Sequence, residues 1–174
     1  MPPKHPKRLT PTGWLMTDER LGDLAAALRR PPPGTGVVFR HHATPPRERR
    51  RLLRLAERIA RARRLTLVAA GGGTRDGIHG RGPATGLRTW SAHSRREAIA
   101  GSRAGACVLF VSPVFATRSH PGAPAIGPLR AVRIGNGLGA AVIALGGMDA
   151  RRWRRIRHLG FNGWAAIDAW APGV

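Results

Sequence analysis

The chain has 174 residues, 42% of them hydrophobic, one cysteine and a formal net charge of +21 at pH 7. That length suits one domain with a core of its own rather than two. A single cysteine excludes an intramolecular disulfide and a thiolate metal cluster, and no apolar run approaches the roughly 20 residues of a membrane span.

Arginine supplies nearly all of the charge, because the only lysines are Lys4 and Lys7. Such a charge draws a protein toward nucleic acid, acidic membranes or phosphorylated metabolites. Here the basic residues are spread along the chain rather than gathered in one block, so they read as solvated helix faces. Neither nucleic acid nor membrane is the expected partner. Cys107 lies in an apolar run ending at Phe110 and reads as a small buried hydrophobe. Residues 1–12, with four prolines and no apolar period, read as a flexible basic tail, and 13–174 as the domain. Without the apolar stretch of a signal peptide, a cytoplasmic location is expected.

Past the tail, short apolar runs alternate with amphipathic stretches. Trp14 to Thr17 reads as a strand, Leu21 to Arg30 as a short helix, and Gly36 to Phe39 as a second strand ending in Arg40, His41 and His42. Leu52, Leu55, Ala56, Ile59 and Ala62 recur at helical spacing with arginines on the other faces, which makes this the clearest helix. Leu65 to Ala69 is a buried strand. Two very short units follow, Gly77 to His79 and Leu87 to Trp90, with no helix-length segment before either. Arg95 to Arg103 reads as a helix, Ala106 to Phe115 as a long strand, and Leu129 to Ile134 as a brief helix. Ala140 to Leu145 is a strand running into Gly146 and Gly147. Asp149 is a natural N-cap for a helix that Gly160 stops, and Trp164 to Ile167 is the last strand.

Eight strands, mostly separated by helices, predict parallel pairing and a closed α/β barrel of the (β/α)8 TIM type, abbreviated, with helices missing after strands 3, 4 and 8. A doubly wound open sheet is the alternative. The thin cover around the short units would expose an apolar flank, for which a homodimer is the expected solution.

Several strand ends carry wording that resembles the thiamine phosphate synthase/TenI family. Gly105 to Thr117, continuing through Ser119, His120 and Gly122, is similar to the family's GADY-x-x-x-GPVFPT-x-TK-x-G stretch. Thr89 to Ser94 resembles its GVS-x-H-S/T strand, and Ala141 to Met148 its PVVAIGGI strand and phosphate-binding turn. Gly77 to His79 matches GVHL, Phe39-Arg40 matches QLR, and Met16 to Arg20 matches ITDRR. The motifs fall in the family's order from Trp14 to Trp170, each at a strand's C-terminal end. In a barrel those ends converge on one mouth, where active sites form.

The resemblance implies thiamine (vitamin B1) biosynthesis and phosphorylated substrates. A synthase joins a hydroxymethylpyrimidine diphosphate to a thiazole phosphate with loss of pyrophosphate. TenI relatives tautomerise a thiazole carboxylate phosphate using a His after strand five, the position of His93. The implied catalytic residues are His93, His79 and Ser91. The implied phosphate and substrate contacts are Arg40, His42, Thr117, Ser119, His120, Gly146 and Gly147. Trp90 and Trp164, next to the mouth, are candidates to stack on a heterocycle, although tryptophans in strands more often serve packing.

The departures bear on chemistry. The family's Asn-Asp after strand three aligns with Ala70-Gly71, and its Asp after strand four with Pro83 or Ala84, so both positions that hold Mg²⁺ lack a carboxylate. No cofactor is therefore firmly expected; Asp76 is the one nearby substitute. His42 and His120 stand where the family has lysines, and Asp168 where it has a small Ser. Two outcomes stay open: a catalytically divergent synthase or tautomerase, and a non-catalytic relative that binds a metabolite or partner through a retained phosphate pocket.

Overall fold

A computed structural model describes residues 10–83, 85–117 and 124–167. Its eight strands form a closed parallel barrel in sequential order. They are β1 (Gly13–Thr17), β2 (Gly36–Phe39), β3 (Thr66–Ala70), β4 (Gly77–His79), β5 (Leu87–Ala92), β6 (Val108–Val111), β7 (Ala141–Leu145) and β8 (Gly163–Ala166). β8 closes on β1 through Trp14 opposite Ala165.

Five helices coat the outside: α1 (Leu24–Arg29), α2 (Pro46–Arg63), α3 (Arg95–Arg103), α4 (Pro128–Gly135) and α5 (Ala150–Ile156). No helix stands between β3 and β4 or between β4 and β5, as the short units require. The missing helix expected after strand 8, and most of the flexible tail, fall outside the described residues. None of the described helices is long and apolar enough to cross a membrane.

Alternation along the strands sorts the side chains into two layers. Trp14, Met16, Val38, Val68, Val108, Phe110, Ile143 and Ala165 fill the interior. Trp14 and Phe110 meet edge to face at 5.2 Å there, and Trp14 Nε1 donates to the Pro11 carbonyl at 2.7 Å. The intervening residues pack outward: Leu15, Val37 and Leu67 under α1 and α2, and Val142, Ala144 and Trp164 under α4 and α5.

Local chemistry sets the element ends. Pro46 opens α2, since a proline at the first helical position lacks only an N–H that would be unpaired anyway. Ser94 caps α3 by accepting from the Glu97 amide, and Asp149 caps α5 by accepting from the Arg152 amide at 2.7 Å. The long sixth strand read from the sequence is shorter than expected. It ends at Val111, because Pro113 has no N–H to extend a ladder.

The truncated β4 leaves part of β3 without a backbone partner. Leu67 faces Asp76, one residue before β4 begins, and there the Leu67 amide donates to Asp76 Oδ2 at 2.9 Å. The Leu67 carbonyl accepts from Thr74 Oγ1. Two side chains thus complete the ladder that the short strand does not. Gly77, at φ 150°, is required at this point, since a Cβ would lie 1.9 Å from the Leu87 carbonyl oxygen.

The thin flank is not apolar. Arg81 lies over the Trp90 ring at 5.5 Å, and Arg88 donates to the Gly80 and Gly82 carbonyls. Among the described residues the large exposed hydrophobic is Leu129, on α4 at the other side. The homodimer expected from an exposed apolar flank loses that basis.

Candidate active site

The inward-facing positions at the strand ends define the mouth. Arg40 follows Val38 with the same inward phase, and its side chain is half-buried. Its Nε donates to the Thr17 carbonyl at 3.3 Å and its Nη2 to Asp18 Oδ2 at 2.9 Å. Arg20 binds the same carboxylate from the solvent side at 2.5 Å. Burial raises the pKa of Asp18, but hydrogen bonds from Arg20 and the charges of Arg40 and Arg20 outweigh it and hold the pKa below the ordinary value. Burial lowers the pKa of Arg40, with Asp18 opposing.

His79 and Ser91 come together, as expected for neighbours in one mouth. The His79 ring lies above Phe110, with Nδ1 at 2.8 Å from Thr89 Oγ1 and Nε2 at 3.2 Å from Ser91 Oγ. Burial, then the positive charges of Arg40 and His42, pushes His79 down to about 4. The ring is therefore neutral near pH 7, one nitrogen donating and the other accepting along a Ser91–His79–Thr89 relay. His42 is exposed at the rim, while His41 stacks on Phe39 on the outer side at 4.4 Å.

His93 sits elsewhere. Its ring is 61% exposed and its Nδ1 is 3.1 Å from Glu97 Oε2, which also accepts from the His93 amide. The residue belongs to the network at the start of α3. Thr117 is half-buried after β6, and Ser119, His120 and Asp168 fall outside the described residues.

The turn after β7 lies across the mouth from Arg40, with β1 and β8 between. Gly146 and Gly147 adopt φ of 93° and 60°. A Cβ on Gly146 would meet Pro113 Cα at 2.8 Å, and one on Gly147 the Ala116 carbonyl oxygen at 2.4 Å. Close packing of the β6 loop thus accounts for both glycines. Arg152 reaches back to the Gly147 carbonyl and lies over the Phe115 ring at 5.0 Å, which places a cation beside this turn. The Asp149 carboxylate already accepts from the Arg152 amide in the first turn of α5.

The two tryptophans serve packing, and Asp76 is not the metal ligand it could have been. Trp90 points outward, so that a Cβ on Gly101 of α3 would lie 2.7 Å from its ring, and Trp164 packs under α5; neither faces the mouth. Asp76 precedes β4 and so lies at the opposite end of the barrel, holding the Leu67 amide.

Mg²⁺, which the resemblance implies, finds no fitting donor set among these residues. Ala70 ends β3 and Gly71 follows it, Asp76 is at the wrong end, and Asp18 is committed to two guanidiniums. Among the described residues no three His, Cys, Asp or Glu side chains are grouped to hold a metal.

Beside this geometry stand the likenesses to known proteins. The family model described as thiamine monophosphate synthase matches residues 85–170. The thiamine-phosphate synthase of Desulfitobacterium hafniense strain Y51 is 36% identical over 81 residues, 46% of this chain and 39% of that protein. The likeness to the family model thus runs over the C-terminal part of the chain, just under half of its length. The matched stretch covers well under half of its curated relative. The barrel is similar to that of a thiamine phosphate pyrophosphorylase from Pyrococcus furiosus, with TM-score 0.76 and 22% identity over 92% of this chain and 87% of that one. A thiamine phosphate pyrophosphorylase from Bacteroides thetaiotaomicron is also similar, with TM-score 0.58 and 20% identity over 90% of this chain and 82% of the other. Ser91, His93, Thr117 and the Gly146–Gly147 turn lie within the stretch that matches the family model. Arg40, His42 and His79 precede it, so their place at the mouth rests on barrel geometry.

Sequence reasoning missed Asp18, Thr89 and Arg152. For the first two a signal was present. Asp18 is two residues past Met16 and Thr89 two before Ser91, each in inward phase.

Proposed function

We propose that this chain is a member of the thiamine phosphate synthase/TenI family that binds phosphorylated thiazole and pyrimidine compounds at its mouth, with diverged chemistry. The observation that carries this reading is the half-buried Arg40 guanidinium, near His79 and His42, with its neighbouring carboxylate already neutralised. Such surroundings suit the oxygens of a diphosphate, which accepts paired donors from a guanidinium. A thiazole phosphate would sit across the mouth at Gly146 and Gly147, with Arg152 beside it.

In a condensation the thiazole nitrogen forms a C–N bond to the pyrimidine methylene as its C–O bond to diphosphate breaks. Arg40 would hold the departing pyrophosphate, and the neutral His79–Ser91 relay would orient it by hydrogen bonds. The absence of a fitting metal set favours slow turnover with weak Mg²⁺ dependence. The same absence, with His93 held by Glu97, favours a second reading, a non-catalytic phosphate-binding relative.

Thermal shift with pyrophosphate and thiazole phosphate tests the site. Stabilisation at millimolar ligand is expected, lost in Arg40→Met for pyrophosphate and in Gly147→Asp for thiazole phosphate. No stabilisation of the wild type counts against the site. Formation of thiamine phosphate from both substrates separates the catalytic reading from the non-catalytic one.

A further inference from the structure

Helix α2 carries eight arginines against two glutamates, in the sequence PRERRRLLRLAERIARAR. Five of them, Arg47, Arg51, Arg54, Arg58 and Arg61, follow a 4-3-4-3 spacing, which confines them to an arc of about 80° on an α-helix. All five are exposed. The opposite face, with Ala56, Ile59 and Ala60, is buried in the core. None of the ion pairs or side-chain hydrogen bonds among the described residues involves this row.

We propose that the outer face of α2 is a docking surface for a double-stranded nucleic acid, gripped through its phosphates without regard to sequence. The row runs about 21 Å at 1.5 Å per residue, with a guanidinium roughly every 5 Å. That extent matches a line of phosphates and far exceeds one metabolite. Arginine forms paired bonds with phosphate oxygens, and a helix holds the row straight. A general preference for arginine over lysine leaves charge unchanged and scatters it; it does not produce a five-member row opposite the core face. The sequence reading that set nucleic acid aside weighed how the charge is spread along the chain, which conceals how helical spacing gathers it on one face.

The occupant follows from what the face lacks. Single strands are held by aromatic stacking as well as charge, and no aromatic residue lies on α2. Insertion into a membrane needs exposed apolar side chains beside the cations. Here Leu52, Leu53 and Leu55 pack against the core. Duplex phosphates need neither.

The test is fluorescence anisotropy with a mixed-sequence DNA duplex of about 20 base pairs, titrated between about 50 and 200 mM salt. Five phosphate contacts give a slope of log K against log salt near −4.5. The triple variant Arg51→Gln, Arg54→Gln, Arg58→Gln should bind at least about tenfold more weakly and flatten the slope by about 2.7. A triple on α5, Arg151→Gln, Arg154→Gln, Arg155→Gln, removes the same charge and should lose under about threefold. Circular dichroism melts check that both fold. Equal losses in the two triples would reduce the effect to net charge and overturn the proposal. So would no duplex binding near 50 mM salt, or tighter binding to phosphatidylserine vesicles than to duplex at equal phosphate.

Discussion

Asp18 bridges two arginines: its Oδ2 accepts from Arg40 at 2.9 Å and from Arg20 at 2.5 Å. One negative charge therefore serves two positive ones, and this trio keeps a net positive charge. In Asp18→Asn that counter-charge disappears while the Thr17 carbonyl still holds Arg40 Nε. Stability should fall by about 1–3 kcal/mol, the range for a buried charged group losing its partner, and pyrophosphate should bind several-fold more tightly. Urea unfolding and calorimetric titration of the variant check both; weaker binding would show that Asp18 serves the anion site by positioning Arg40.

His79 makes stability depend on pH. Its ring stays neutral in the folded chain down to about 4, whereas in the unfolded chain it protonates near 6.5. The contribution is complete above about 6.5 and is lost as pH falls from there toward 4, about 3 kcal/mol at 1.36 per unit. His41, whose pKa is also lowered, first by burial, contributes with the same sign. Unfolding midpoints at pH 7.5 and 5 should differ far less in His79→Gln than in wild type.

An anion held by Arg40 would offset the positive charges that press on His79. Pyrophosphate should therefore raise the His79 pKa, and by linkage His79 should add to its affinity as pH falls through the raised value toward about 4. The ring's NMR titration with and without pyrophosphate measures this. An unmoved titration would place the anion away from Arg40.

The capture of His93 by Glu97 predicts little. His93→Ala removes an exposed pair worth under about 1 kcal/mol, and the pyrophosphate-induced thermal shift should match that of wild type. If tautomerisation of a thiazole carboxylate phosphate occurs and vanishes in this variant, His93 must leave Glu97 to act.

Gly36 fixes the floor of the barrel. A Cβ there would lie 2.3 Å from the Trp14 ring, which fills the interior beneath Phe110. Gly36→Ala should cost about 1–3 kcal/mol, as overpacking does, and change the near-ultraviolet dichroism of Trp14. Combining it with Trp14→Leu should recover part of the loss, measured by chemical denaturation.

The eight strands were legible because buried parallel strands read as short apolar runs. α2 was placed by its apolar spacing, but its first turn, from Pro46, holds no core residue and left no period to follow. Arg40, His79 and Ser91 could be placed at one mouth because they end strands of a barrel. Phase decides between stacking and packing for Trp90: with Thr89 and Ser91 turned inward, the residue between them turns outward to pack. The contact of His93 with Glu97 was not read from the sequence, because it comes from a helix start that Ser94 and Glu97, three apart, form beside it. Asp76 was misread because proximity along the chain hides which end of a strand a residue precedes.

The bonds from Thr74 and Asp76 to Leu67 make a seam of the junction between β3 and β4. At the β7–β8 junction the Val142 amide likewise donates to a side chain, Asn162 Oδ1 at 2.8 Å, but there the Val142 carbonyl still accepts from a backbone amide. At Leu67 both bonds depend on side chains, one hydroxyl and one carboxylate, with no helix outside to clamp them. Breathing of the ring should begin at this seam, where the Leu67 amide would exchange with solvent ahead of its neighbours in β3. Opening there would bare a strand edge to other chains, so aggregation on mild heating would report the loss of either side chain before unfolding does.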